Sequence, residues 1–163
     1  MDDDPNGEEG PRSPTPDDLE RIASSLNAVG ARYAVLGGFA MQYYGFARPT
    51  QDLDLLVDPA PENVERLRQG LSILSDGAVL EVEPTDLVDY GVVRVADEVV
   101  VDLLARACDV TFDDAEPRLE HAVVGSARVP YLSIGDLVRS KQTIRPKDAM
   151  DRQYLAAIQA EEG

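Results

Sequence analysis

One hexapeptide, Asp52-Leu53-Asp54-Leu55-Leu56-Val57, constrains this chain more than any other stretch. It reads as a strand, entered from a turn at Arg48-Pro49-Thr50-Gln51 and ended by Asp58-Pro59. On a strand, residues two apart point to the same face, with Cα atoms roughly 6.5–7 Å apart. Asp52 and Asp54 therefore stand side by side on an otherwise apolar element. Two adjacent carboxylates repel, and burying charge without a partner is costly. Either the pair faces water at the end of an edge strand, or a cation holds it together. A hard divalent ion, Mg²⁺ or Mn²⁺, takes such oxygen ligands from one or two carboxylates plus phosphate oxygens.

Asp102 favours the cation. It lies in Val99-Val100-Val101-Asp102-Leu103-Leu104, the most apolar strand candidate in the chain. If that strand lies beside residues 52–57, three carboxylates converge, a set able to hold two metals for in-line phosphoryl transfer. Gly37-Gly38 adds a second element, because it follows an apolar run and opens a helix. Glycine lets backbone approach a phosphate closely, and a helix N-terminus offers free N–H groups to an anion. It is not a P-loop, since no Gly-Lys-Ser/Thr follows, and there is no Gly-x-Gly-x-x-Gly.

Around these motifs the chain alternates helices and strands. Thr15-Pro16-Asp17 reads as a helix start, and Leu19, Ile22, Ala23, Leu26 and Val29 recur at helical spacing up to Gly30. A strand over 33–36, a short helix over 39–44 and a helix over 62–74 follow. Residues 79–82 read as a strand, and 86–89 have no clear assignment. Val92 to Val95 and Val99 to Leu104 form a hairpin through Ala96-Asp97-Glu98, and 113–121 reads as loop or helix. Residues 127–132 form an edge strand, because Pro130 is tolerated there. Ser133 caps a helix over 133–142, and a last helix covers 147–159. The expected fold class is α/β (α+β): a small mixed sheet flanked by helices, with helices at the C-terminal end.

Composition narrows the function classes. The chain has 163 residues, the size of one domain. Residues 1–16 are acidic and almost without aliphatic side chains, which predicts a disordered tail ahead of a single domain over 17–163. That segment lacks the apolar stretch of a signal peptide, and no run approaches a membrane span, so a cytoplasmic protein without membrane contact is expected. A net charge of −16 argues against non-specific binding to DNA, which is mostly phosphate neutralisation. The single cysteine, Cys108, can form neither an intramolecular disulfide nor a cysteine-based zinc site, and is expected as a buried apolar thiol. The lone His121 reads as a surface or cap residue. Tyr43 and Tyr44 suit either stacking on a base or core packing.

In order along the chain, Gly37-Gly38, a short helix, Arg48-x-Thr50, Asp52-x-Asp54 and the later Asp102 resemble the DNA polymerase β-type nucleotidyltransferase superfamily. The resemblance covers about residues 31–104. It implies the nucleotidyltransferase fold, with Asp52, Asp54 and Asp102 as metal ligands and Gly37, Gly38, Arg48 and Thr50 at the nucleotide. Many members carry Gly-Ser where this chain has Gly37-Gly38, so a serine contact to phosphate is replaced by backbone. Further on, Lys141 and then Arg145-x-Lys147-Asp148-x-x-Asp151 are similar to a narrower branch, the bacterial abortive-infection toxin nucleotidyltransferases. That likeness implies roles for Lys141 in nucleotide binding and for Lys141 and Asp148 in catalysis. It also implies a toxin–antitoxin or phage-defence setting, with a cognate antitoxin or other partner protein. Composition adds that the only two lysines, Lys141 and Lys147, fall in this segment with Arg139, Arg145 and Arg152. Such a patch suits a triphosphate, although Lys147 and Asp151 are also spaced to pair along a helix.

The sequence thus predicts an enzyme that moves a nucleoside monophosphate from a nucleoside triphosphate to an acceptor, which is RNA, a protein or a small molecule. Two other classes share the fold or the carboxylates. A catalytically silent nucleotide- or partner-binding module would keep the fold without turnover. A metal-dependent phosphohydrolase usually adds histidine ligands, and this chain has one histidine.

Overall fold

The run Tyr33-Ala34-Val35-Leu36 is buried at every position, and the sheet is built outward from it. The structure is a computed structural model that describes residues 10–162. Strand β1 (Tyr33–Leu36) pairs antiparallel with β2 (Asp52–Val57), which pairs parallel with β4 (Val100–Leu104), which pairs antiparallel with β3 (Val92–Ala96). On the other side β1 meets β8 (Ala127–Tyr131) in parallel, and β7 (Glu120–Val124) closes that edge. The order β3-β4-β2-β1-β8-β7 makes a six-stranded mixed sheet, as the α+β expectation requires. A separate two-stranded ribbon, β5 (Arg106–Ala107) with β6 (Val110–Thr111), leaves the end of β4.

Helices α1 (Pro16–Ala28) and α3 (Pro61–Leu71) pack against each other. Thr15 caps α1 as its Thr-Pro-Asp start predicts: its hydroxyl accepts from the Asp18 N–H, while the Asp18 carboxylate accepts from the Thr15 N–H. Leu19, Ile22, Ala23 and Leu26 line the buried face of α1. The contact with α3 is close because residue 70 is glycine; a Cβ there would lie 2.5 Å from Leu26 Cδ2. Leu53, Leu55 and Val57 of β2 alternate with the aspartates and are buried, which sends Asp52 and Asp54 to the other face. Helix α2 (Gly37–Tyr43) follows β1 directly. Ser133 caps α6 (Ile134–Arg139) by accepting from the Asp136 N–H, and α7 (Pro146–Glu162) packs on α6. Tyr154 anchors α7 to the loop after α2, with its ring 4.7 Å from that of Phe46 and its hydroxyl donating to the Tyr44 carbonyl.

Several local expectations are corrected. Residues 79–82 are not a strand: Ala78–Glu81 is a 3-10 turn, held because buried Asp97 accepts from the Asp76, Ala78 and Glu98 N–H groups. Residues 86–90 form α4 (Asp86–Tyr90). The stretch read as loop or helix contains α5 (Phe112–Ala115), a 3-10 turn and the start of β7. β8 is not an edge strand but lies between β1 and β7. Pro130 is tolerated because β8 joins β1 only at Val35↔Tyr131, so the ladder starts beyond the missing N–H. Of the tail expected over 1–16, residues 1–9 lie outside the described residues. From Arg12 onward the chain is docked: the Arg12 N–H donates to the Glu98 carbonyl, its guanidinium pairs with Asp18, and Pro14 is buried. No helix among the described residues is long and apolar enough to cross a membrane.

Candidate metal and nucleotide site

Parallel pairing of β2 with β4 sets Asp54 beside Asp102 in register. Asp52, two residues before Asp54, projects from the same face. Each of the three offers a carboxylate oxygen, and these oxygens lie within 4.8 Å of one another. Asp102 is buried, and Asp52 and Asp54 are partly so. Burial and the neighbouring charges of Asp52 and Asp102 raise Asp54 to a pKa of about 7. Burial and the Asp102 charge also raise Asp52. The cluster is therefore electrostatically strained without a cation, and its all-oxygen donor set fits Mg²⁺ or Mn²⁺.

The first glycine of the pair sits directly against these carboxylates. Gly37 has a φ of +69°, in the left-handed region, and a Cβ there would run into the Asp54 carboxylate. A Cβ at Gly38 would lie 2.6 Å from Thr50 Oγ1 and 2.8 Å from Thr50 Cβ. Gly38 is thus fixed by Thr50, whose hydroxyl donates to the Asp52 carbonyl at 2.9 Å. Any larger residue at 38, serine included, needs Thr50 to move. This gives a steric reason for Gly38 where many of the resembled proteins carry serine.

These groups line one side of a cleft of about 600 Å³. The other side comes from Arg48 and from the segment between α6 and α7, including Lys141, Arg145, Lys147 and Asp148. Lys141 is 6% exposed and Asp151 is fully buried, with Lys141 Nζ 2.9 Å from Asp151 Oδ2. Arg48 donates to the other oxygen of Asp151. One buried carboxylate thus holds two cations at the cleft wall. The helical pairing of Lys147 with Asp151 does not form; Asp151 turns inward and Lys147 stays exposed at the cleft. Burial opposes ionisation of Asp148, but a hydrogen bond from Thr143 at 2.6 Å and the Arg145 guanidinium at 2.8 Å hold its pKa below the ordinary value.

Not every basic residue of the segment reaches the cleft. Arg139 pairs with Asp136, Asp109 and Asp114, and Arg152 donates to the Lys141 and Thr143 carbonyls. Tyr43 stacks on Tyr131 at 4.2 Å and Tyr44 donates to the Leu132 carbonyl at 2.7 Å, so both serve packing. His121 is exposed on β7, away from the cleft. Cys108 departs from the expectation of a buried thiol: it is exposed at the cleft, at the turn between β5 and β6, with a φ of 53°. From that turn its Sγ faces the Ser140 and Gln142 carbonyls rather than the core.

One cleft residue carries no motif in the sequence. Arg94 on β3 directs Nε and Nη2 to the two oxygens of Asp102 at 2.9 and 3.0 Å, and Nη2 lies 3.5 Å from Asp52. The hairpin register pairs Arg94 with Asp102 across the strands. Counting outward from Glu98 at the turn would have found it, since 94 and 102 are equidistant from 98.

Comparison with protein-family models and with curated proteins gives no match to this chain.

Proposed function

We propose that the chain is a metal-dependent nucleotidyltransferase that transfers a nucleoside monophosphate from a nucleoside triphosphate to an acceptor hydroxyl. The observation that carries this reading is the convergence of Asp52, Asp54 and Asp102 beneath the Gly37-Gly38 turn, across one cleft from Lys141. Asp52, Asp54 and Asp102 would hold the divalent ion. When bound, that ion supplies charge to the phosphates and lowers the pKa of the attacking hydroxyl.

The chain's own groups divide the remaining work. Gly37 and Gly38 let the turn that opens α2 close onto Asp54 and Thr50 at the edge of the cleft. Lys141 and Arg48, fixed by Asp151, place positive charge at the cleft wall, where the triphosphate and the departing pyrophosphate carry most of theirs. Lys147 is free to reach the same anions. Asp148 is held ionised by Thr143 and Arg145, which makes it a weak proton acceptor; its role is to aim Arg145. In the reaction the acceptor oxygen bonds to the α-phosphorus as the bond to pyrophosphate breaks. RNA, a protein side chain and a small molecule all supply such a hydroxyl, and the toxin–antitoxin setting implied by the motif stays part of the proposal.

A catalytically silent nucleotide- or partner-binding module is the second reading. Arg94 favours it, because its guanidinium pairs with Asp102 and approaches Asp52.

Thermal unfolding with each of the four nucleoside triphosphates, with and without Mg²⁺, tests the site. Stabilisation that needs Mg²⁺ and disappears in Asp52→Asn/Asp54→Asn supports a metal-dependent nucleotide site. Transfer of label from the stabilising triphosphate to an acceptor then separates the enzyme from the silent module. Absence of any Mg²⁺-dependent stabilisation would sink the proposal.

A further inference from the structure

Arg94 has no partner among the described residues other than carboxylates of the trio. Its side chain is 61% exposed, and its polar contacts are all made by the guanidinium. The guanidinium covers both oxygens of Asp102 and extends towards Asp52. A divalent ion that takes Asp102 as a ligand needs one of those oxygens, and two cations at such a separation repel. Cation and guanidinium therefore compete for Asp102 in this arrangement. Arg94 lines the same cleft as Arg48, Lys141 and Lys147, so a released guanidinium meets the anion those residues face. A guanidinium suits phosphate oxygens through paired donors.

We propose that Arg94 is a displaceable counter-ion of the Asp52–Asp54–Asp102 trio, exchanged for the divalent ion and handed to the triphosphate. This rests on the reading that the trio holds a divalent cation. The exchange couples the two ligands. The cation frees Arg94 for phosphate, and phosphate that engages Arg94 clears Asp102 for the cation. Such coupling is reciprocal: each ligand tightens the other by the same factor. Without triphosphate, Arg94 stays on Asp102 and opposes the uptake of free divalent ions.

The test is Mn²⁺ binding followed by electron paramagnetic resonance on the full chain, with no turnover required. Wild type, Arg94→Gln, Lys147→Gln and Asp54→Asn are compared, each with and without a non-hydrolysable triphosphate. Lys147→Gln removes one positive charge from the cleft but no contact with the trio, so it measures the general field. Arg94→Gln should bind Mn²⁺ about fivefold tighter than wild type, clearly more than Lys147→Gln, and should lose much of the tightening that the triphosphate gives wild type. Equal gains in Arg94→Gln and Lys147→Gln, with binding still abolished by Asp54→Asn, would overturn the role of Arg94 and leave the metal site standing. No Asp54-dependent Mn²⁺ binding in any variant would remove both. Should Arg94→Gln fold poorly, wild type alone decides: the Arg94 Nε–H resonance must shift on adding Mg²⁺, and an unmoved resonance at saturating metal overturns the exchange.

Discussion

Asp54 concentrates the electrostatic cost of this site. Its ordinary pKa of 3.8 is raised to about 7 in the folded protein, first by burial and then by Asp52 and Asp102. Below the lower value the group is protonated in both folded and unfolded chains and costs nothing. As pH rises through the window between the two, the unfolded chain ionises first and folding weakens. Above pH 7 the full cost remains, on the order of a few kcal/mol. Metal-free wild type should therefore lose more stability between about pH 5 and about pH 8 than Asp54→Asn. Denaturant unfolding at the two pH values measures this. Parallel losses in both proteins would show that Asp54 is not the strained group. In turnover, Asp54→Asn should abolish the metal-dependent reaction while the fold survives. Gly38 makes a second residue-scale case. Gly38→Ser should destabilise by about 1–3 kcal/mol through overpacking against Thr50, and Thr50→Gly in the same chain should recover part of that loss in a denaturant titration.

Among the elements, α7 closes the cleft through a buried network rather than an apolar seam alone. Asp151 binds Arg48 from the loop before β2 and Lys141 from the loop after α6. Lys141→Ala leaves Asp151 with one partner and should cost about 3 kcal/mol in unfolding experiments. It should also weaken triphosphate binding more than monophosphate binding, by calorimetry; equal losses would take Lys141 off the phosphates. Elements of this kind divide by how locally they are encoded. The Thr15-Pro16-Asp17 start of α1 and the alternation of β2 lie within a few residues, and both could be read from the sequence. The 3-10 turn at 78–81 could not, because Asp97, which organises it, arrives with the β3–β4 hairpin. β7 was missed because its mixed, half-exposed residues carry no clear period. The trio was legible because aspartates in apolar strands need a reason. Arg94 was not, since a charged residue on an edge strand is ordinary until its register is counted.

For the whole molecule, a net charge of −16 means that compactness works against self-repulsion. Raising NaCl from about 0.05 to about 0.5 M should raise the melting temperature by several degrees through screening, and calorimetry would show it. A melting temperature that falls with salt would mean that the ion pairs of Arg12, Arg21, Arg32 and Arg118 outweigh the repulsion. Fold and site also share a history. Asp54 and Asp102 are 48 positions apart (102 − 54), and they meet only because β2 and β4 pair in parallel. Pairing of that kind is among the slowest events in folding, because a long loop must close before any contact rewards it. A slip of one residue would turn Asp102 to the opposite face. A chain still emerging from the ribosome therefore has no such cluster until β4 has been made and docked, and a misregistered sheet has none at all. Whatever the cluster does, it does only in molecules that have finished folding correctly.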